Sequence, residues 1–266
     1  IYSDGLHTPE ELMQMAVENG LKAFSITDHD SIEALGQVQP NENITFIPGV
    51  EITSTVNNRE VHILGYYIRP EDPKLVETLA AIAQKRKVRL LSMVEKLNKA
   101  FGIGMDIGEL IESFGQKAYN RMNLARLMVE RGISPSIKGC FAKYLGDENE
   151  VYEAVNYFAP EEAVKVIHES GGLAFIAHPY LINEPRIIPE LVEQGIDGIE
   201  VFHPSHRPDE IRIGLEWAAR FNLGVSGGSD FHGNDNSKRK LLAAGLTGER
   251  LVDFLSLNPN RDFVIA

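Results

Sequence analysis

Four short β-rich runs each close on a histidine or a carboxylate, and that recurrence limits the folds open to this chain. Ala23–Asp30 reads Ala-Phe-Ser-Ile-Thr-Asp-His-Asp, a short apolar run followed by two acids around an imidazole. Phe46-Ile-Pro-Gly-Val-Glu51, Ala174-Phe-Ile-Ala-His178 and Gly224-Val-Ser-Gly-Gly-Ser-Asp230-Phe-His232 follow the same plan. Buried strands that end in metal-ligand residue types are how a parallel α/β barrel displays its chemistry.

The segments between these runs read as helices, which gives β/α alternation. Thr8-Pro9-Glu10-Glu11 starts a helix with a cap, a proline at the first position and acids in the first turn, and Asn19-Gly20 stops it. Ser31-Ile-Glu-Ala-Leu-Gly36 is expected to begin another helix. Ile44–Val50 is expected to form a strand that ends at Glu51, and Val61–Tyr67 a further strand carrying His62. Lys74–Phe101 has helical period, with Leu75, Leu79, Ile82, Leu90, Val94 and Leu97 apolar. Its cluster Lys85-Arg86-Lys87 reads as a solvated helix face, with a nucleic-acid patch as the alternative.

Glu109–Phe114, Asn123–Arg131 and Phe141–Leu145 read as shorter helices, so residues 72–157 are expected to be a helical insertion on a barrel formed by 1–71 and 158–266. Beyond it come a helix from Pro160, strand Leu173–Ala177, helix Ile187–Gln194 and strand Gly198–Phe202. Helix Pro208–Phe221, strand Leu223–Ser226 and helix Glu249–Leu257 complete the order.

At 266 residues the chain can hold one large barrel, or one core with a smaller insertion. A formal net charge of −12 disfavours a broad footprint for duplex DNA. A small phosphorylated substrate stays open, because bound cations reverse the field locally. The single cysteine, Cys140, allows no intrachain disulfide and points to a reducing, cytoplasmic compartment. No apolar run approaches the roughly 18 residues of a membrane span.

The polar residues at strand ends are Asp4, Asp28, His29, Asp30, Glu51, His62, His178, His203, Asp230 and His232. Imidazoles and carboxylates without thiolates suit zinc, manganese or iron. A mixed set with a bridging carboxylate is what a di- or trinuclear hydrolytic centre requires, since such centres polarise an oxygen and activate water as hydroxide. There is no Gly-x-Ser-x-Gly elbow, no phosphate loop ending in Gly-Lys-Ser/Thr and no dinucleotide fingerprint. Gly227-Gly228 reads as a place where backbone approaches the metal cluster.

Ser3-Asp4-Gly5, Thr27-Asp28-His29-Asp30, Gly49-Val50-Glu51, Ala177-His178-Pro179 and Gly228-Ser229-Asp230-Phe231-His232-Gly233 together resemble the motifs of the polymerase and histidinol phosphatase (PHP) superfamily. The resemblance runs over nearly the whole chain, and the insertion is similar to the branch acting on nucleoside phosphates and short oligoribonucleotides. It implies an α/β fold, a distorted seven-stranded β/α barrel with two or three divalent ions (Mn2+, Zn2+ or Fe2+). By that pattern Asp4, His29 and His232 hold one metal. Glu51 bridges the other two, with His62 and His178 on the second and Asp230 on the third. Glu51, His178 and Asp230 are the residues implied in catalysis. The family opens with Asp-Leu-His-x-His-Ser just before this turn, and the chain begins after it at Ile1. A first strand and two histidine ligands of the third metal are therefore expected ahead of the sequence.

Arg121, Lys143, His203 and His206 are the expected phosphate contacts, with basic residues of the insertion facing the metals as in the branch resembled. The function this implies is hydrolysis of a phosphomonoester by metal-activated hydroxide. The substrate would be a nucleoside monophosphate, a 3',5'-bisphosphate or a short oligoribonucleotide, with neither duplex DNA nor a membrane as partner. The alternatives are an amidohydrolase-like C–N hydrolase and a non-catalytic metal-binding PHP module.

Overall fold

Only two residues separate the long strand that ends at Val56 from the one that starts at Arg59, and so short a connection can join only antiparallel neighbours. This hairpin lies near the middle of the sheet. The computed structural model describes residues 2–57, 59–114, 118–146, 148–153, 157–182, 187–233 and 240–259. The strands are β1 (Ala23–Ile26), β2 (Thr45–Val56), β3 (Arg59–Tyr66), β4 (Leu173–Ile176), β5 (Gly198–Phe202) and β6 (Gly224–Gly227). They form one six-stranded sheet in the order β1-β2-β3-β4-β5-β6. Pairing is parallel for β1/β2, β4/β5 and β5/β6, and antiparallel for β2/β3 and β3/β4. The result is a curled, mixed half-barrel. Among the described residues the sheet has six strands, where the resemblance implies seven.

The helices are α1 (Pro9–Glu18), α2 (Pro73–Phe101), α3 (Ile107–Phe114), α4 (Arg121–Glu130), α5 (Ile137–Cys140), α6 (Pro160–Glu169), α7 (Ile187–Glu193), α8 (Pro208–Phe221) and α9 (Glu249–Ser256). Local chemistry explains several of their ends. Thr8 caps α1 in a reciprocal box with Glu11, as its sequence predicts. Asp72 accepts the amides of Lys74 and Leu75 at the start of α2, and Gly102 closes that helix at φ 63. Phe141–Leu145 forms a single π-helical turn continuing α5.

Two expected elements come out differently. Ser31–Gly36 does not open an α-helix; a short 3-10 turn at Leu35–Gln37 takes its place. Here Asp30 has a left-handed backbone and its carboxylate is committed to Thr53, so the chain is pinned to β2 where a helix would start. β2 does not end at Glu51 but runs to Val56, because β3 pairs with it along its second half, from Gly49↔Tyr66 to Val56↔Arg59. Glu51 is therefore a mid-strand residue.

Between α2 and α6 the described residues contain helices and no strand. α2 belongs to two cores. Leu75, Leu79 and Ile82 pack with the sheet residues Val50, Ile52 and Ile63, whereas Leu90, Met93, Val94 and Leu97 pack with Leu110, Leu124, Met128 and Cys140. Burying these side chains drives both clusters, at roughly 1.5–3 kcal/mol each. One helix thus joins the small helical cluster to the sheet.

Candidate metal centre

The loop after β1 is laced to β2 by backbone pairing beyond the strand itself. Glu51 N donates to Asp28 O over 3.1 Å and Asp30 N to Glu51 O over 2.9 Å, so His29 lies beside Glu51. Asp30 sits at φ 52. Its carboxylate accepts from Thr53 N (2.7 Å) and Thr53 Oγ1 (2.9 Å), and from Arg86 Nε (2.7 Å). Local bonds of this kind let an aspartate hold a left-handed backbone. His62 reaches the site from the middle of β3, opposite Thr53. His178 follows β4 at φ 28, and Asp230 follows β6 at φ 49. Leu6 N donates to His232 O over 3.1 Å, which brings the Ser3–Asp4 turn against the last loop.

Glu51 is the hub. Its Oε1 lies 2.8 Å from His62 Nδ1 and 3.0 Å from His178 Nε2, and its Oε2 lies 3.5 Å from His29 Nδ1. Burial pushes this carboxyl up, but the imidazoles of His29 and His62 outweigh it and hold the group well below the usual range. A second knot joins Asp4 to His232, with Oδ1 and Nε2 3.2 Å apart. His232 Nδ1 meets Asp230 O at 2.7 Å; a carbonyl only accepts, so Nδ1 carries a proton and Nε2 turns toward Asp4. Burial opposes the charge on His232, but its bond to Asp4 pushes the ring up to about 9. Burial likewise resists ionisation of Asp4, and the bond from His232 holds its carboxyl far below the ordinary value.

Whether these residues suit a metal is answered by their unpaired atoms. His29 Nδ1, His62 Nδ1, His178 Nδ1 and Asp28 Oδ2 are buried without a hydrogen-bond partner. The His62 nitrogen is close to Glu51 but off the direction a hydrogen bond needs. Each such orphan costs about 1–3 kcal/mol unless something else takes it up. In Asp4, His29 and His232, and again in His29, Glu51 and His62, one ligand atom from each residue lies within 4.8 Å of the others. Nitrogen and carboxylate donors at this spacing fit divalent zinc, manganese or iron.

Asp230 lies at the same end of the sheet, its Oδ1 3.5 Å from His232 Nδ1 and its Oδ2 3.5 Å from His203 Nε2. Two cavities meet there. One of about 280 Å³ runs from His29, Glu51 and Asp230 down to Leu246 and Phe254, between β1 and β6. The other, about 160 Å³, is lined by Asp4, His29 and His62, by Arg86, Arg89 and Arg121 together with Glu60, and by Tyr119 and Phe141.

The four residues expected to contact phosphate are not gathered in one place. Arg121, the first residue of α4, lines the smaller cavity, donates from Nη1 to Leu145 O (3.0 Å) and lies over the Tyr152 ring. Lys143 is exposed, with its Nζ over the Tyr144 ring. His203 and His206 are buried, their rings 5.1 Å apart. None of these last three lines either cavity.

Sequence reasoning missed three residues here. Arg86 is not on a solvated face: its guanidinium is 12% exposed and ion-paired with Asp30. Arg89 is buried too, bonded to Glu60 and to the Tyr157 hydroxyl. Helical phase held the clue, since both lie on the side of α2 shared with Ile82 and Leu90. Glu200 is the third, the lone acid of an otherwise apolar β5. Burial pushes its carboxyl up to about 8, against the pull of His178. The glycine pair lines the larger cavity with Glu51 and Asp230 and is closely packed. A Cβ at Gly227 would meet Phe202 Cβ at 2.7 Å, and one at Gly228 would come within 3.1 Å of Glu200 Oε1.

No family model matches the chain. It is 34% identical over 240 residues to the 5'-3' exoribonuclease Rnm of Escherichia coli, covering 86% of this chain and 82% of that one. To the 3',5'-nucleoside bisphosphate phosphatase of Chromobacterium violaceum it is 32% identical over 238 residues, with 86% and 84% covered. To the phosphoribosyl 1,2-cyclic phosphate 1,2-diphosphodiesterase of Eggerthella lenta it is 28% identical over 239 residues, with 87% and 90% covered. Among solved structures, a Bifidobacterium adolescentis protein assigned to the metal-dependent phosphoesterases shares the fold. Its TM-score is 0.85 at 23% identity, with 98% and 94% covered. An amidohydrolase from Chromobacterium violaceum, solved with bound sulfate and no metal, gives a TM-score of 0.80 at 28% identity, covering 97% and 95%. With relatives of this identity spanning most of both chains, the protein belongs to the PHP superfamily of metal-dependent phosphoesterases.

Proposed function

We propose that the chain hydrolyses a phosphomonoester of a nucleotide, either a nucleoside monophosphate or 3',5'-bisphosphate or the end of a short oligoribonucleotide. The observation that carries this reading is the smaller cavity, whose lining brings the ligand types Asp4, His29 and His62 together with Arg121. An anion there would meet bound divalent ions and the Arg121 guanidinium, while Arg86 and Arg89 are ion-paired with Asp30 and Glu60. The names of the relatives support the substrate class, since they include a nucleoside bisphosphate phosphatase and an exoribonuclease.

Asp4, His29 and His232 would hold one divalent ion, and Glu51 with His62 and His178 a second. Asp230 would serve a third. Ions bound there supply charge neutralisation at the phosphoryl group and a lowered pKa for bound water. The chain's own residues do the rest. Arg121 binds the substrate phosphate; Lys143, His203 and His206, which line neither cavity, are assigned to it on the family resemblance alone. Glu51, His178 and Asp230 stand at the reacting centre, with the Glu51 carboxylate ionised between its imidazoles throughout the working pH range. Residues 1–71 and 158–266 form the barrel, seven-stranded by the family resemblance, and 72–157 the insertion that completes the substrate site. The setting is the cytoplasm; among the described residues no helix is long and apolar enough to cross a membrane.

The test is a phosphate-release screen of mononucleotides, 3',5'-bisphosphates and short RNAs with manganese supplied, beside a panel of cyclic and linear amides. Release from the nucleotides alone is expected. A second reading, C–N hydrolysis, is favoured by the amidohydrolase name of one structural neighbour. Turnover of an amide with no phosphate released from any nucleotide would establish it and overturn the proposal.

A further inference from the structure

Glu200 turns into the barrel from β5 and is 5% exposed. Its Oε2 accepts the backbone N–H of His178 over 2.8 Å. That backbone is unusual, with φ 28 and ψ 55. Left-handed geometry costs a residue with a side chain about 1–2 kcal/mol. Pro179 follows directly, and a residue before proline is disfavoured from the ordinary right-handed region. The conformation matters to the site because it is the one from which the His178 ring puts Nε2 3.0 Å from Glu51 Oε1.

The carboxyl of Glu200 is itself confined. β5 and β6 pair with Glu200 opposite Ser226. Just beyond that pair, Gly228 N donates to Phe202 O over 3.0 Å, which draws the Gly228 backbone in beside the Glu200 side chain. A Cβ there would stand 3.1 Å from Glu200 Oε1, tight enough to displace the carboxyl by a few tenths of an ångström. One oxygen is therefore held by the His178 amide while the other abuts a glycine.

We propose that Glu200 is a positioning residue that, seated against Gly228, holds the His178 backbone in its left-handed conformation and so sets the affinity of the metal site that His178 and Glu51 form. The inference rests on the reading of those two residues as ligands. The bond to the His178 amide needs only an acceptor oxygen, so glutamine at this position can replace the glutamate.

Manganese binding to the full chain, measured by titration calorimetry for the wild type, E200Q, E200A, G228A and H178A, tests it. Circular dichroism and melting temperature report the fold separately. E200A is expected to bind manganese about 10–100-fold more weakly with the fold kept, a loss typical of removing a group that orients a ligand. E200Q should stay near wild type, and G228A should fall between. A folded E200A with wild-type affinity overturns the inference. Should E200A not fold, the other two decide. Wild-type affinity in E200Q together with a weakened G228A sustains the inference, while an unchanged G228A, or an E200Q as weak as H178A, overturns it. If H178A itself binds like wild type, the ligand assignment fails and takes the inference with it. A weakened H178A beside an unaffected E200A would sink the positioning role alone.

Discussion

Arg86 Nε donates to Asp30 Oδ2 over 2.7 Å, a buried ion pair that ties the middle of α2 to the loop carrying His29. The pair is not isolated, since Arg86 also bonds Thr53 Oγ1 at 2.6 Å and lies over the Tyr157 ring. The long helix α2 and a loop of the sheet thus share one charge network beside the candidate metal ligands.

Removing only the cation should be costly. Arg86→Met leaves the Asp30 carboxylate buried at 2% exposure with its Thr53 bonds but no charge partner. The expected loss is about 3–5 kcal/mol by urea unfolding, and the double variant with Asp30→Asn should recover part of it because neither charge then remains buried. A loss under about 1 kcal/mol would mean the pair behaves like a surface bridge.

Glu51 makes a sharper test of the metal reading. One carboxylate lies within 3.5 Å of the imidazoles of His29, His62 and His178. Glu51→Gln removes the carboxylate charge they share and should weaken manganese binding by more than the roughly 10–100-fold typical of losing a ligand's outer partner. Glu77→Gln, on the exposed face of α2, should change nothing. Chelation should abolish phosphate release. Full turnover after verified metal removal would refute the dependence on metal.

These residues also show which parts of the molecule were legible in the chain. α8 occupies Pro208–Phe221, the bounds read for it from the sequence, and β1, β4 and β6 lie where short apolar runs precede ligand types. Those signals are local. Glu51 was found by its neighbours in sequence but misplaced at a strand end, because the pairing that lengthens β2 comes from β3. Ser31–Gly36 has a plausible helix start, yet tertiary bonds to Asp30 override it. Arg86 and Glu200 failed for a common reason. A charge inside a charged or apolar run shows its partner only after folding brings in Asp30 from 56 residues away, or His178 from 22. Periodicity marks which side of an element is buried, but not what a buried charge will meet.

Arg121 and Lys143 separate the two readings of the helical region. Arg121 lines the same cavity as Asp4, His29 and His62, whereas Lys143 is exposed and lines neither cavity. Arg121→Ala should cost about 2–4 kcal/mol in kcat/KM on the best phosphorylated substrate, with metal content unchanged. Lys143→Ala should cost less. Wild-type kinetics in Arg121→Ala would assign that residue to packing against Tyr152 and remove it from the substrate site.

His206 supplies a pH dependence whose sign can be worked out. Its Nδ1 lies 2.9 Å from Val201 O, so in the neutral ring Nδ1 carries the proton and Nε2 is a buried acceptor without a partner. Burial lowers its pKa below 6.5, reinforced by nearby His203 and His178, with the Val201 bond and Glu210 opposing. Between that depressed value and 6.5 the unfolded chain carries a proton that the folded chain does not. Stability from this group is therefore complete above pH 6.5 and falls as the pH drops below it. His206→Gln keeps an N–H for Val201 and removes the titration. Metal-free wild type should lose more stability than the variant between about pH 6.5 and 5, while above 7 the gap between them should be constant. Urea unfolding of both chains across that range is the measurement; histidines that do not interact with His206 are common to both and cancel in the difference. Parallel curves down to pH 5 would show that His206 titrates alike in the folded and unfolded chains, and that burial of its ring does not govern its charge.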